Sequence, residues 1–245
     1  MALATAKHFF TQKAPVIRLD MSEYQQTQDI DKLLGNSDGS NPGLLTSAVK
    51  KQPFALILVD EIEKAHADIL NLFLQILDEG RLTSGTGEII NFADTVIVAT
   101  SNAAAIQIQT AIAQNVPYQV LQKQLQSEVL FQYFRPELLN RFDEIVIFRP
   151  LESKHIEQII QLSIDKIQAN LDNQGIQLNI SPAAITKIAH EQYDRQYGAR
   201  NIQHYLKSNL ENQIANLIIT DQLQRRDQII IDENLHLKVQ KAPIL

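Results

Sequence analysis

The sequence predicts an α/β fold, with a three-layer domain built on a mostly parallel sheet over residues 1–150 and a small α+β domain over residues 151–245. Three observations carry it. Short apolar runs at Val16–Leu19, Phe54–Val59, Thr95–Thr100 and Ile145–Phe148 are separated by stretches of helical spacing rather than by tight turns, the alternation that builds parallel sheets. FALILV and TVIVAT are almost continuously apolar, as strands buried on both faces are. After Pro150 the pattern changes to a long helix, short alternating strands and clear capping signals.

The elements follow in order. Leu3, Ala6, Phe9 and Phe10 share one side of a helix over Met1–Phe10, and Pro15 ends that pattern ahead of the strand Val16–Leu19. Glu23–Leu34 has helical spacing, and Gly35–Gly43 (GNSDGSNPG) gathers the residues that favour turns. Leu44–Lys51 is a helix stopped by Pro53, and Phe54–Val59 is a buried strand. Ala65–Glu79 places Ile69, Leu70, Phe73, Ile76 and Leu77 at helical spacing, with Gly80 where a C-terminal cap belongs. Arg81–Asn91 holds short apolar pieces around Gly85 and Gly87, Thr95–Thr100 is a second buried strand, and Ala103–Phe134 is helical or irregular and rich in glutamine. Ile145–Phe148 is a further strand of this sheet, closed by Pro150. In the second domain a helix spans Ser153–Asp172 with Ser153 as its N-cap, a strand spans Ile176–Ile180, and Ser181-Pro182 opens another helix. A further helix covers Ala199–Thr220, and strands at Gln228–Asp232 and Leu235–Val239 meet at a Glu233-Asn234 turn.

Composition narrows the function classes. Hydrophobic residues make up 44% of the 245, and Gly and Pro number 8 each, which excludes a disordered or collagenous chain. With 22 Lys+Arg against 28 Asp+Glu the net charge is -6, so there is no general basic field for nucleic acid or anionic lipid. The absence of cysteine excludes disulfides and a thiolate nucleophile and fits a cytoplasmic protein. No apolar run approaches the roughly 18 residues of a membrane span, and the six histidines lack metal-ligand spacing.

The most specific segment is Leu56–His66, LILVDEIEKAH. Its apolar strand delivers two adjacent carboxylates, Asp60 and Glu61, to the C-terminal end, where open parallel sheets bind ligands. A strand-end aspartate can hold Mg²⁺, while a neighbouring glutamate aligns and deprotonates a water for attack on a phosphoryl group. Alone, the string fits equally well a buried strand that reaches solvent at an Asp-Glu pair.

Together with Leu72–Gly80 (LFLQILDEG), Arg81–Thr83, Thr95–Asn102 (TVIVATSN), Phe134–Phe148 (FRPELLNRFDEIVIF), Gly175–Ile176 and Tyr193–Asn201 (YDRQYGARN), this segment resembles the second ATPase module of the Clp family of AAA+ unfoldases and disaggregases. The resemblance spans nearly the whole chain. It implies an AAA+ domain followed by a small lid domain, ATP and Mg²⁺ as cofactors, protein substrates, and assembly into a homo- or hetero-oligomeric ring. Residue by residue, it implies Asp60 on Mg²⁺ and Glu61 as catalytic base. Asn102 would orient the attacking water or contact the γ-phosphate, Arg141 would reach a neighbouring subunit's nucleotide as an arginine finger, and Arg200 would face the γ-phosphate of its own subunit. Without the resemblance, Asn102 reads as a helix cap, Arg141 as half of a surface ion pair with Asp143 or Glu144, and Arg200 as a packing charge.

The chain departs from the family pattern in three places. No G-x-x-x-x-G-K-[ST] occurs in the sequence, and the nearest glycine spacing, Gly80 to Gly85, lacks the lysine. Met1–Phe10 resembles the helix directly after that loop, so the resemblance implies a chain that starts just downstream of it, without the sheet's middle strand and with two strands left unpaired on one side. The aromatic pore loop of the family is replaced by NSDGSNPG, between Leu34-Gly35 and Leu44-Leu45-Thr46, and the second pore loop near Thr83–Glu88 has equally little to grip a polypeptide. Asn115–Val120 is only weakly apolar, so a protease partner is not expected. Two functions stay open: an ATP-hydrolysing remodelling module that needs an upstream phosphate loop, and a non-catalytic assembly module that contributes Arg141 to a partner.

Overall fold

The computed structural model describes residues 15–149, 151–194 and 198–242, and the chain divides into two units between Ile147 and Phe148. The helix expected over Met1–Phe10 lies outside the described residues. In the first unit, strand β1 (Val16–Asp20) leads through 3-10 turns at Met21–Glu23 and Thr27–Asp29 to helix α1 (Ile30–Leu34). After the glycine-bounded loop come α2 (Leu44–Lys51), β2 (Leu56–Asp60) and α3 (Ala67–Glu79). Gly80 ends α3 at φ 63°, a left-handed cap that glycine adopts without strain. A hairpin of β3 (Arg81–Thr83) and β4 (Ile89–Asn91) precedes β5 (Val96–Ala99). Helices α4 (Ala105–Ala113), α5 (Tyr118–Gln124) and α6 (Pro136–Leu139) follow, with a π turn at Leu125–Val129 and a 3-10 turn at Leu130–Gln132.

The main sheet has the order β1-β2-β5, all parallel, because each connection carries a helix across a face. In β2, at the centre, Leu56, Ile57 and Val59 are fully buried. Helix α3 covers one face with Ile69, Phe73 and Ile76, spaced to share one stripe, and each such side chain contributes about 1.5–3 kcal/mol by leaving water. Leu45 and Val49 of α2 join the same core.

Several expectations are corrected. Phe54 precedes β2 and is exposed, and β5 is half-buried along its length. Glu23–Leu34 is helical only from Ile30, because the Asp20 carboxylate accepts from the Ser22 N–H and that of Asp29 from the Gln26 N–H, each making a short turn instead. Ile145–Phe148 is not a strand. Its alternation is real, with Ile147 buried against Ala104, Leu121 and Leu125 while Val146 and Phe148 face solvent. A strand also needs a partner backbone, and among the described residues this segment and the far side of β5 both lack one.

The second unit holds α7 (Ser153–Asp172), β6 (Gln177–Ile180), α8 (Pro182–Gln192), α9 (Arg200–Tyr205), a π turn at Leu206–Glu211, α10 (Asn212–Ile219), β7 (Gln228–Ile231) and β8 (Leu237–Gln240). Its sheet runs β6-β7-β8, parallel then antiparallel. Ile156, Ile160, Ile164, Ile167 and Leu171 of α7 pack with Ile188, Ile202 and Ile229 in a core of their own. The cap of α7 is Glu152, not Ser153: the Glu152 N–H donates to His155 Nδ1, one half of a reciprocal cap. Ser181 caps α8 as expected, accepting the Ala184 N–H at 3.2 Å. The final hairpin turns through residues 232–236 rather than two residues, because the Asp232 carboxylate accepts from the N–H groups of Asn234 and His236. No helix of the described residues is long and apolar enough to cross a membrane.

Candidate functional site

The parallel register sets Asp60 at the C-terminal end of the central strand, beside Asp20 of β1. Arg18, two residues earlier on β1, donates from Nη2 to Asp60 Oδ2 at 2.7 Å. On the other side the chain leaves β5 at Thr100, whose N–H still donates to the Val59 carbonyl at 2.8 Å. The Thr100 hydroxyl donates to Asp60 Oδ1 and accepts the Glu61 N–H, while its carbonyl accepts the Ile62 N–H at 3.0 Å. These donors, the Thr100 hydroxyl first and then Arg18, hold the Asp60 carboxyl below the ordinary aspartate value, so it is a carboxylate at neutral pH.

Glu61 leaves the strand at φ 54° and ψ 48°, a left-handed conformation that costs a residue with a Cβ about 1–2 kcal/mol. That turn directs the chain into a 3-10 turn at Ile62–Lys64, with Glu61 half-exposed and paired to Lys64 at 2.5 Å. Glu63 on the same turn accepts the Asn102 N–H at 3.0 Å through Oε1, whereas its buried Oε2 has no partner among the described residues. Asn102 is itself exposed and is not the cap of α4, which is Ala104; its carbonyl accepts the Ala105 N–H at 3.1 Å in the turn that leads into that helix. Asp60, Glu61 and Asn102 thus meet at one end of the sheet.

The two arginines belong to other elements. Arg141 follows α6 and pairs through Nε with Asp78 of α3, not with Asp143 or Glu144. Its side chain is half-exposed. Arg200 is the first residue of α9, in the second unit, and is exposed. Sequence reasoning missed Arg18, Thr100 and Glu63. Their signal was weak, since only the strand register and the turn after β2 bring them to Asp60 and Asn102.

The loop at residues 35–43 is held close to the β3–β4 hairpin. The Gly85 N–H donates to the Leu34 carbonyl at 3.0 Å, and the Thr46 hydroxyl donates to the same carbonyl at 3.0 Å. A Cβ on Gly85 would stand 1.9 Å from the Gly35 carbonyl oxygen, so the approach requires glycine.

Residues 1–145 match the family model of the AAA domain (Cdc48 subfamily), and residues 151–231 match that of the C-terminal, D2-small domain of ClpB protein. The chain belongs to the Clp family of AAA+ proteins. Relatives of this Clp-family chain include chaperone protein ClpB 2 of Nostoc sp. (strain PCC 7120), 36% identical over 100% of the chain and 28% of the relative. Chaperone protein ClpB3, chloroplastic, of Arabidopsis thaliana is 35% identical over 95% of the chain and 25% of its own length. The ATP-dependent Clp protease ATP-binding subunit ClpE of Bacillus subtilis is 38% identical over 87% and 31%. The chain therefore spans under a third of the length of these relatives. Membership of an ATPase family implies nucleotide, and the donor set fits its usual metal: Asp60 offers anionic, hard oxygens at a partly exposed strand end, as Mg²⁺ requires alongside phosphate and water.

Proposed function

We propose that the chain is a Clp-type module that couples ATP binding and hydrolysis to the remodelling of protein substrates within an oligomeric ring. One observation carries the reading: Asp60 and Glu61 leave the central strand tied, through Thr100 and Glu63, to the loop that bears Asn102. Mg²⁺ bound at Asp60 would neutralise charge on the phosphates. Thr100 and Arg18 keep Asp60 ionised for that purpose. Glu61 takes the proton of the attacking water at its half-exposed carboxylate, and Asn102 orients that water or the γ-phosphate. Arg141, from the surface of one subunit, stabilises developing charge in the neighbour's site, and Arg200 does so within its own subunit. A boundary near Pro150 is supported by the two family models, which end at 145 and begin at 151. The loop at residues 35–43 carries no aromatic side chain, so its hold on a polypeptide rests on polar groups.

The test supplies the G-x-x-x-x-G-K-[ST] loop that the sequence does not contain, joined to the chain or added as a separate segment, and measures Mg²⁺-dependent ATP turnover. Glu61→Gln is expected to abolish turnover while leaving ATP binding intact. Turnover that survives the substitution overturns Glu61 as the base. The exposed position of Arg141 favours a second reading, in which the chain only completes a partner's site. That reading expects no turnover by the chain and a changed rate in a Clp ring mixed with it, an effect that Arg141→Ala removes.

A further inference from the structure

We propose that Glu63 is a positioning residue for Asn102. The inference rests on the reading of Asn102 given above and goes beyond it, since it names the group that fixes where Asn102 stands. Beyond Thr100 the chain has left the sheet, and a segment without ladder partners is free to wander unless a side chain holds it. Two of the bonds made here are local, from Ala103 N–H to Ser101 Oγ and from Ala105 N–H to the Asn102 carbonyl. The Asn102 N–H instead reaches across to Glu63 Oε1, a charge-assisted bond to the turn after β2.

That turn is also the one that carries Glu61. The Ile62 N–H is bound to the Thr100 carbonyl, so the residues on both sides of the site share one short scaffold, and a shift of the turn moves Glu61 and Asn102 together. The bond from the Asn102 N–H to Oε1 is thus the contact through which the Glu63 carboxylate holds the loop beyond β5. Glutamine at this position keeps the accepting carbonyl, whereas aspartate is one methylene too short to reach.

The test begins with the 245-residue chain itself. In its amide nitrogen–proton spectrum the Asn102 resonance is expected downfield and protected from exchange. Glu63→Ala and Glu63→Asp should remove both features, and Glu63→Gln should retain them, with thermal midpoints followed in parallel. Should the alanine variant fail to fold, the aspartate variant, which keeps charge and polarity, gives the same comparison. An Asn102 resonance unmoved in both overturns the proposal. In the form that hydrolyses ATP, Glu63→Ala is expected to lower kcat by about 10- to 100-fold with little change in KM for ATP, the scale on which loss of a supporting partner acts, and Glu63→Gln to restore most of it. A moved resonance with unchanged kcat overturns the positioning role, as does equal damage by alanine and glutamine. Absence of turnover in the unsubstituted form counts against the function assigned to Asn102, and the spectrum still decides whether Glu63 holds its loop.

Discussion

Asp227, at the foot of β7, gathers three donors: Lys241 Nζ at 2.8 Å, the Ala242 N–H at 2.9 Å and the Gln224 N–H at 2.8 Å. Lys241 first, then the two backbone groups, bring its carboxyl from 3.8 down to about 2. A folded value below the unfolded one means that the unfolded chain takes up the proton first as the medium is acidified. The stabilisation is therefore complete above about pH 4 and is lost as the pH falls through about 2. The thermal midpoint of the C-terminal unit, followed by circular dichroism, should drop across that window. Asp227→Asn should lower the midpoint at neutral pH and flatten the dependence on acid. Glu61 illustrates a different use of a single residue. Its left-handed backbone is unfavourable for a glutamate and persists because the Thr100 hydroxyl and carbonyl hold the N–H groups on either side of it, on Glu61 and Ile62.

Among the elements, the hairpin of β3 and β4 is fastened to the loop at residues 35–43 by a close backbone approach. Gly85→Ala would drive a Cβ against the Gly35 carbonyl, and backbone, unlike a side chain, cannot swing away. The substitution should destabilise the N-terminal unit by about 1–3 kcal/mol, on the scale of overpacking, read as a lower denaturant midpoint. The same elements show what could be read from the chain beforehand. LILV and the stripe Ile69, Phe73, Ile76 report burial, and β2 and α3 stand where they point, whereas Phe54 ahead of them is exposed. Ile145–Phe148 reports a face but no neighbour, because alternation specifies which side chains turn inward and is silent on the backbone that must pair. The turns at residues 21–29 and 232–236 depend on Asp20, Asp29 and Asp232 accepting from nearby N–H groups, a local competition that hydrophobic periodicity does not register. At the site, Asp60 and Glu61 were legible because a strand end is marked by its last apolar residue. Arg18, Thr100 and Glu63 were not, since they reach the site through the register of separate strands and the geometry of one turn.

For the whole molecule, the deciding fact is that each unit encloses its own core. In the second unit α7 contributes one buried stripe, and the sheet β6-β7-β8 and the helices α8 and α9 contribute the side chains that it meets. The Asp227–Lys241 pair ties the end of the chain beyond β8 back to the loop before β7. A domain of this size can bury enough apolar surface to offset the entropy of ordering its chain. Residues 151–245, produced alone, are therefore expected to melt in a single cooperative transition with the helix content of the intact unit. Ile160, fully buried at the middle of α7, is the most informative site for a second variant. Ile160→Ala should lower the stability of this fragment by about 2–5 kcal/mol, the transfer of the lost methylenes plus the cavity they leave. A broad, non-cooperative melt of the unsubstituted fragment would mean that the core seen here needs the rest of the chain to form.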